Sequence, residues 1–485
     1  MPSPRSSRPS PRPSSPRPSH SRSSSARPSG AALDPYGIYG ARTATRLRDS
    51  QRRRRSQNLL AFFIFLVIGA AIIVAWKTRR VNTSWPQSRV ALGFAVASAP
   101  TWIQPAPGTP GVLLIAGEDG RLVKTSAFTQ TNAESNPESN TAQAVAKTIL
   151  LETDFPLRAP LIFQDTAFVP CEDGVLYAVS WRERKLIWRQ RFDAALSSQP
   201  ALITVNQKPV IVAGSDAGLM LGLDAATGRV LWRARLPAPI GNGLTAVQST
   251  PQVSGQNASD RVLVPLLGGA AMRGGLWCLD GASGKVLWRF PRDVRVEATQ
   301  LSSVVAGSGQ IFGANDAGAV YCLDLQSGNY NPKVSGAPQT PIQNQIQTQA
   351  GWKTFIRPLK DGDQEQVTLL RAAPVLVISG NGNANLVLGG NDGGVRGLNA
   401  RDGKLLWQTD IGAPISSLLP LQKADGSAAV LACNRSGELT LLDAQNGAVL
   451  RKFASDGERF VGATISPQGI YGLTSNGTLL RFELS

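Results

Sequence analysis

The chain has 485 residues, of which 42% are hydrophobic and 17% charged, and its formal net charge is +17. The only histidine, His20, lies near the N-terminus, which excludes a His-assisted nucleophile and a His-ligated zinc site from the rest of the chain. The four cysteines are at least 44 residues apart, which excludes a C-x-x-C motif. Residues 1–57 hold 13 arginines and two acids, whereas the other 428 residues have a net charge of only +6. The large part is therefore not predicted to be a basic nucleic-acid-binding domain.

Residues 1–57 are predicted to form a disordered basic tail. Residues 1–30 consist mostly of Ser, Pro and Arg, and such a segment buries too little apolar surface to offset its ordering entropy. We interpret it as a solvated tail that fixes membrane topology. The alternatives are contact with anionic lipid headgroups and binding of nucleic acid. Nucleic acid is the least supported, because no aromatic side chains accompany the arginine run at 52–55.

Residues 58–76 are predicted to form a single transmembrane helix. Leu59 to Trp76 is an uncharged run of 18 residues, which as a helix is about 27 Å long. Residues 42–57 hold seven arginines, and residues 77–92 hold four basic side chains. This excess predicts a cytoplasmic N-terminus and an extracytoplasmic C-terminal part, joined by a juxtamembrane linker at 77–88.

Residues 89–485 predict an all-β fold, an eight-bladed propeller of four-stranded blades. Short alternating runs are broken by Gly and Asp-Gly turns, and a repeated turn glycine marks eight units. Those glycines are 54, 44, 57, 43, 76, 43 and 40 residues apart, a period near 43 with insertions that fits propeller blades. The glycines are Gly120, Gly174, Gly218, Gly275, Gly318, Gly394, Gly437 and Gly477.

A second template, D-x-x-T/S-G followed four residues later by Trp, recurs within these units. We predict that the Asp binds nearby backbone N–H groups, that the Gly allows the hairpin, and that the Trp packs across a blade boundary. A ring of metal-binding carboxylates and a Trp ligand cage are the alternatives. The assigned residues are Asp224, Gly228, Trp232, Asp280, Gly284, Trp288, Asp324, Gly328, Gly403, Trp407, Asp443 and Gly447. Trp188 fills the same place in a degenerate copy, and the four cysteines are predicted to be small core residues.

Both chain ends are predicted to build the last blade. Val461–Ile465, Ile470–Leu473 and Leu479–Leu484 supply three strands, and Arg89–Ala97 supplies the outer one. Units one and five carry long polar insertions between their third and fourth strands, on the same face and in opposite blades. Their fourth strands are predicted at Lys147–Leu151 and Trp352–Ile356. These are interpreted as flexible decoration or as arms that order on a partner.

The D-A-A-T-G-R-V-L-W segment and its relatives resemble the repeat of quinoprotein-like (PQQ-like) eight-bladed propellers. One branch of that family consists of dehydrogenases that bind pyrroloquinoline quinone and a metal, many with adjacent cysteines, which this chain lacks. The other branch includes the non-catalytic propeller scaffold of the outer-membrane protein assembly machinery, and this chain departs from it in its span and basic tail. The resemblance implies a membrane-anchored, non-enzymatic scaffold for protein partners in the envelope, with no catalytic, cofactor-binding or metal residue. A quinoprotein-type oxidoreductase and an envelope carbohydrate-binding or hydrolysing protein remain the alternatives.

Overall fold

The computed structural model describes residues 83–96, 98–106, 109–126, 146–241, 243–248, 260–268, 274–291, 304–315, 318–329, 351–356, 370, 372–378, 382–423, 425–455 and 457–484. The predicted tail at 1–57 and span at 58–76 lie outside these ranges. Within the ranges, no helix has the length and apolar character needed to cross a bilayer.

Short strands make up this part of the chain, and each blade is an antiparallel meander. Blade 1 contains β3 (Thr101–Ile103), β4 (Val112–Ala116), β5 (Arg121–Ser126) and β6 (Lys147–Glu152). Blade 2 contains β7 (Leu161–Phe163), β8 (Thr166–Pro170), β9 (Val175–Ser180) and β10 (Lys185–Arg191). Blade 3 contains β11 (Ala201–Val205), β12 (Lys208–Gly214), β13 (Leu219–Asp224) and β14 (Val230–Arg235). Blade 4 contains β15 (Thr245–Val247), β16 (Arg261–Leu266), β17 (Gly275–Asp280) and β18 (Val286–Phe290).

The second half of the chain repeats the pattern. Blade 5 contains β19 (Val305–Gly307), β20 (Gln310–Ala314), β21 (Ala319–Asp324) and β22 (Lys353–Phe355). Blade 6 contains β23 (Val375–Ile378), β24 (Ala384–Gly389), β25 (Gly394–Asn399) and β26 (Leu405–Asp410). Blade 7 contains β27 (Ile415–Gln422), β28 (Ala428–Asn434), β29 (Glu438–Asp443) and β30 (Val449–Ala454). Blade 8 contains β31 (Phe460–Ser466), β32 (Gly469–Thr474) and β33 (Thr478–Phe482). The predicted eight-bladed, all-β architecture is therefore confirmed for the described residues.

The last blade is completed by the N-terminal strand β2 (Ser88–Ala91), as predicted. β2 pairs antiparallel with β33, in a register that places Val90 opposite Leu479. The strand ends earlier than the predicted Ala97, because Gly93 adopts a φ of 86° and Val96 bridges to Gly117 of blade 1. The pairing of β2 with β33 therefore closes the ring of blades.

A further strand, β1 (Thr83–Ser84), lies on the outer edge of blade 7. It pairs parallel with β30, with Thr83 opposite Lys452 and Ser84 opposite Phe453. These two residues belong to the segment predicted as linker. Blade 7 consequently has five strands, and β1 covers the outer edge of its fourth strand, β30.

The hydrophobic core is divided among the junctions between neighbouring blades. Eight apolar clusters of described residues each join two consecutive blades, and the cluster around Val90, Phe94 and Tyr471 joins blade 8 to blade 1. One blade cannot cover its own apolar faces, so each face is buried against the next blade. The four cysteines are buried and free, as predicted, and lie in four different clusters.

Candidate interaction surface

The hairpins between third and fourth strands all emerge on one face of the propeller. In each blade the first and third strands run in the same direction, so the connections that follow them leave on the same side. This hairpin face carries the D-x-x-T/S-G template and the ends of both long insertions. It is therefore the face on which the sequence-assigned residues and the candidate binding segments meet.

The template aspartates hold their own hairpins together. Asp224 accepts hydrogen bonds from the N–H of Thr227 at 2.9 Å and from its hydroxyl at 2.8 Å. Asp324 does the same with Ser327, at 2.8 and 2.7 Å. The Thr227 hydroxyl is the main cause of the lowered pKa of Asp224. Asp280 and Asp443 also accept hydrogen bonds from their own hairpins. These carboxylates thus face local backbone groups, as in an Asx-type turn.

Each template tryptophan of the fourth strand contacts the hairpin of the following blade. Trp232 Nε1 donates a hydrogen bond to the carbonyl of Gly281 at 2.8 Å, and its ring lies over Gly284. Gly284 has a φ of 69°, and a Cβ there would lie 2.4 Å from the ring. Position 284 therefore requires glycine for two reasons, the positive φ of its backbone and the close approach of the Trp232 ring. We call the Nε1–carbonyl bond together with the ring–glycine packing the tryptophan docking contact.

The docking contact joins five consecutive pairs of blades. Nε1–carbonyl distances lie between 2.8 and 3.1 Å, and a Cβ on the contacted glycine would lie 2.3 to 2.6 Å from the ring. The pairs are Trp188 with Gly228, Trp232 with Gly284, Trp288 with Gly328, Trp352 with Gly403, and Trp407 with Gly447. All five rings are buried. The described contacts run without interruption from blade 2 to blade 7.

Trp352 was not assigned to the template from the sequence, although the fourth strand of unit five was predicted to begin there. An insertion separates it from Gly328, so the four-residue Gly-to-Trp spacing is lost. The structure restores the equivalence, because Trp352 Nε1 donates to the carbonyl of Ala400 at 2.9 Å. The signal available in the sequence was the strand itself rather than the spacing.

The two ends of each insertion lie close together on its blade. In blade 1, Thr125 pairs with Lys147, so the ends of the intervening segment are neighbours. In blade 5, the Asp324 N–H donates to the carbonyl of Asn329, and the Cys322 N–H donates to that of Trp352. The hairpin of blade 5 is therefore formed before the insertion begins. The insertions themselves lie outside the described residues, and their ends are on the hairpin face of opposite blades.

The buried thiols are shielded from reaction. Burial raises the pKa of Cys171 and Cys433 to about 11, and that of Cys278 and Cys322 to about 12. Such thiols remain protonated near neutral pH, and the thiolate is the reactive form. Among the described residues, no group of three or more His, Cys, Asp or Glu side chains is close enough to hold a metal ion.

Comparison with known proteins identifies both the sequence family and the fold. The matching family model, PQQ_2, is described as outer membrane protein assembly factor BamB, and it covers residues 172–346 and 359–485. The outer membrane protein assembly factor BamB of Burkholderia pseudomallei is 27% identical over 263 residues, which are 50% of this chain and 63% of that protein. The chain thus matches less than two thirds of that relative's length.

Two solved structures have the same fold. Sqt1 of Saccharomyces cerevisiae superposes with a TM-score of 0.60 at 9% identity, over 84% of this chain and all of that one. The computationally designed Ika8 protein superposes with a TM-score of 0.56 at 13% identity, over 83% of this chain and all of the designed one. At these identities the likeness shows a shared propeller fold alone.

Proposed function

The chain belongs to the PQQ-like propeller family of outer membrane protein assembly factor BamB, and we propose that it is a non-enzymatic scaffold that binds protein partners in the cell envelope. The observation that carries the proposal is the position of the two insertions. They start from the hairpin face of opposite blades, and each leaves its blade intact. Long connections on a rigid framework are typical binding elements.

Partner capture tests this proposal directly. Deleting Gln130 to Gln143 together with Asn331 to Gln349 is expected to leave the melting transition unchanged and to abolish co-purification of the partners from detergent-solubilised membranes. A control deletes Asp361 to Gln366, in the connection between β22 and β23, which leaves the opposite face. Undiminished capture by the folded double deletion, or equal loss in the control, places the binding surface elsewhere.

We propose further that the propeller is anchored by the span at 58–76 and lies outside the cytoplasm. The arginine excess before the span supports this orientation. The native thiols are buried, so an introduced cysteine is the only expected target of a membrane-impermeant maleimide. In cells whose outer membrane is permeabilised and whose cytoplasmic membrane is intact, the probe is expected to label Arg401→Cys and not Ser24→Cys. The reverse pattern contradicts the proposed topology.

The absence of enzymatic activity is also part of the proposal. The template aspartates bond to their own hairpins, and the thiols have raised pKa values. These groups therefore fill structural roles that leave them unsuited to redox or metal chemistry. Incubation with pyrroloquinoline quinone and calcium is expected to give neither an absorbance change of the cofactor nor reduction of an electron-acceptor dye. Dye reduction dependent on both additives would assign the chain to the dehydrogenase branch.

A further inference from the structure

The outer edge of a blade can accept an added strand in this molecule. The edge of β30 in blade 7 pairs with β1, which approaches from outside the meander and runs parallel to it. The fourth strands of blades 2, 3 and 4 are also terminal in their sheets, and no described strand lies beyond them. Their outward backbone groups are templates for strand addition.

The residue pairs on these edges can be matched through a shared β-bulge. In blade 7 the ladder shifts between Leu441 and Leu442, opposite Arg451 and Val449. In blade 2 the ladder shifts opposite Leu186 and Trp188. Leu450 and Ile187 are the bulged residues, so Trp188 is equivalent to Arg451. The next two residues of β10, Arg189 and Gln190, therefore take the places of Lys452 and Phe453, which face β1.

The edges of blades 2–4 are strongly basic. We call residues 181–191, 225–235 and 281–290 the basic rim, which contains ten basic residues and one acid. The corresponding segment of blade 6, residues 400–410, contains two of each. In the described part of the chain, only Arg182 and Arg235 of the rim form ion pairs with a carboxylate. Arg191 donates a hydrogen bond to the carbonyl of Asp173, whereas Lys185 and Arg189 form no ion pair with the described residues.

The positive charge of the rim affects a neighbouring blade. Burial lowers the pKa of Lys124 in blade 1, and the guanidinium groups of Arg184 and Arg182 lower it further. The Nζ atom of Lys124 lies 5.3 Å from the centre of the Trp181 ring, and Arg182 lies over the same ring. Positive charges are thus concentrated where blade 1 meets the first hairpin of the rim.

Aliphatic side chains are exposed between these cations. Leu186 and Ile187 of β10 are each 44% exposed, at the bulge that precedes Trp188. β10 therefore offers a charged, partly apolar strand whose outer backbone groups have no described strand partner. Three blades of a ring form a convex surface, which a flat bilayer touches poorly, whereas a strand can satisfy the backbone groups of one edge.

We propose that the outer edge of β10 binds an extended acidic segment of a partner protein by parallel strand addition, with its carboxylates against Lys185 and Arg189. The added strand takes the place on blade 2 that β1 takes on blade 7. This inference specifies one surface of the proposed scaffold and rests on that function for its partner, but its binding chemistry is independent of the insertions.

A labelled octapeptide, Glu-Val-Val-Glu-Glu-Val-Val-Glu, serves as the probe, with the full-length protein in detergent at low ionic strength. It carries Glu on both faces, because Lys185 pairs with Ser180 and Arg189 with Tyr177, which places the two cations on opposite faces of blade 2. Fluorescence anisotropy is expected to show binding that Lys185→Glu with Arg189→Glu weakens by about tenfold or more. The control is Arg401→Glu with Lys404→Glu on blade 6, where Lys404 is the equivalent of Lys185. It makes the same change in charge and is expected to alter binding by less than about twofold. Both variants should keep the native melting temperature.

Three results overturn the inference. Equal binding of a peptide with Lys in place of Glu removes the acidic requirement. Equal binding of a peptide N-methylated at alternate amides removes the backbone pairing. Binding of anionic vesicles, lost in the β10 variant, without peptide binding assigns the rim to lipid. A register test adds Gln190→Cys, whose thiol should displace thiopyridine from an acidic peptide that carries a thiopyridyl mixed disulfide and so become linked to it, whereas Arg401→Cys should not. If the peptide does not bind β10 but partner capture still depends on the insertions, this inference is wrong and the proposed scaffold function stands.

Discussion

The five junctions from blades 2–3 to blades 6–7 differ from the three junctions that complete the ring. In the first group, five tryptophans make the same docking contact with the hairpin of the next blade. In the second group, which comprises the junctions of blades 7–8, 8–1 and 1–2, the described residues make no such contact. The difference shows that the repeated contact needs a tryptophan on one fourth strand and a glycine in the facing hairpin. At the 1–2 junction the hairpin of blade 2 is continuous, but Arg184 stands at its glycine position.

The closing junctions replace the missing contact with individual solutions. Blade 8 has no hairpin after β33, because its fourth strand comes from the other end of the chain. Arg451 occupies the tryptophan position of blade 7, and its Nη1 donates to the carbonyl of Glu483 at 3.2 Å. Between blades 8 and 1, Trp102 stacks on Tyr471 with ring centres 5.6 Å apart. In blade 2, Arg184 adopts a positive φ of 58° in its hairpin.

The largest expected effect comes from removing the closure itself. Deleting 459–485 removes β31 to β33, leaves β2 without its partner and exposes the faces of blades 7 and 1. We expect loss of the cooperative thermal transition followed by circular dichroism. Deleting residues 1–57, the predicted tail, is the control and should leave the transition in place. A stable truncated monomer with an unchanged transition would show that the docked blades need no closure.

Removing one docking tryptophan should cost less than opening the ring. Trp232→Ala leaves a cavity between blades 3 and 4 and orphans the carbonyl of Gly281, and we expect a loss of about 3–5 kcal/mol in the free energy of unfolding. Trp232→Phe keeps most of the packing and should cost about 1–2 kcal/mol. Urea unfolding measures both. Equal costs for the two variants would mean that the ring contributes little beyond its hydrogen bond.

The partner glycine should show an intermediate effect. Gly284→Ala forces a side chain into a φ of 69° and places Cβ 2.4 Å from the Trp232 ring, so we expect a loss of about 1–3 kcal/mol. In the Trp232→Ala background the steric part of this cost should disappear. A double-mutant cycle measures the coupling, and strict additivity of the two variants would contradict the packing that we describe.

Alkaline pH should reduce the stability contributed by the buried thiols. Their folded pKa values, about 11 to 12, lie above the value near 9 expected after unfolding. The stabilising term is therefore fully present below about pH 8.5 and is lost as pH rises toward 11–12, at about 1 kcal/mol per thiol by pH 10. Urea unfolding at pH 8 and pH 10 should show a smaller decrease for Cys278→Ala with Cys322→Ala than for the native chain.

The smallest effect is expected at Arg451. Arg451→Met removes the bond to the Glu483 carbonyl from a half-buried position and should cost about 1 kcal/mol or less. Arg451→Trp should bring no gain, because blade 8 offers no hairpin glycine for the ring. A stabilisation comparable to the cost of Trp232→Ala would show instead that any neighbouring blade can accept a docking tryptophan.

The sequence predicted the parts of this comparison that depend on local pattern. Asp-Gly turns, alternating strands and the Gly-to-Trp spacing identified the blades, and the incomplete last unit indicated closure by residues near Arg89. Trp352 could not be assigned to the template, because the insertion hides its spacing. Neither could the role of Arg451, which depends on a carbonyl 32 residues away. The strand β1 was missed because two polar residues, Thr83 and Ser84, carry no strand pattern of their own.

The N-terminal position of β2 also affects the order of events during synthesis. β2 is made before any of the complete blades, yet Leu479, the partner of Val90, follows about 390 residues later. At about 5–20 residues per second, the ribosome needs about 20–80 s to produce that partner. During this interval the apolar residues of β2 and of the open blade faces have no partner. The closing pair of strands therefore forms last, and until then these apolar residues are exposed to other chains and to chaperones.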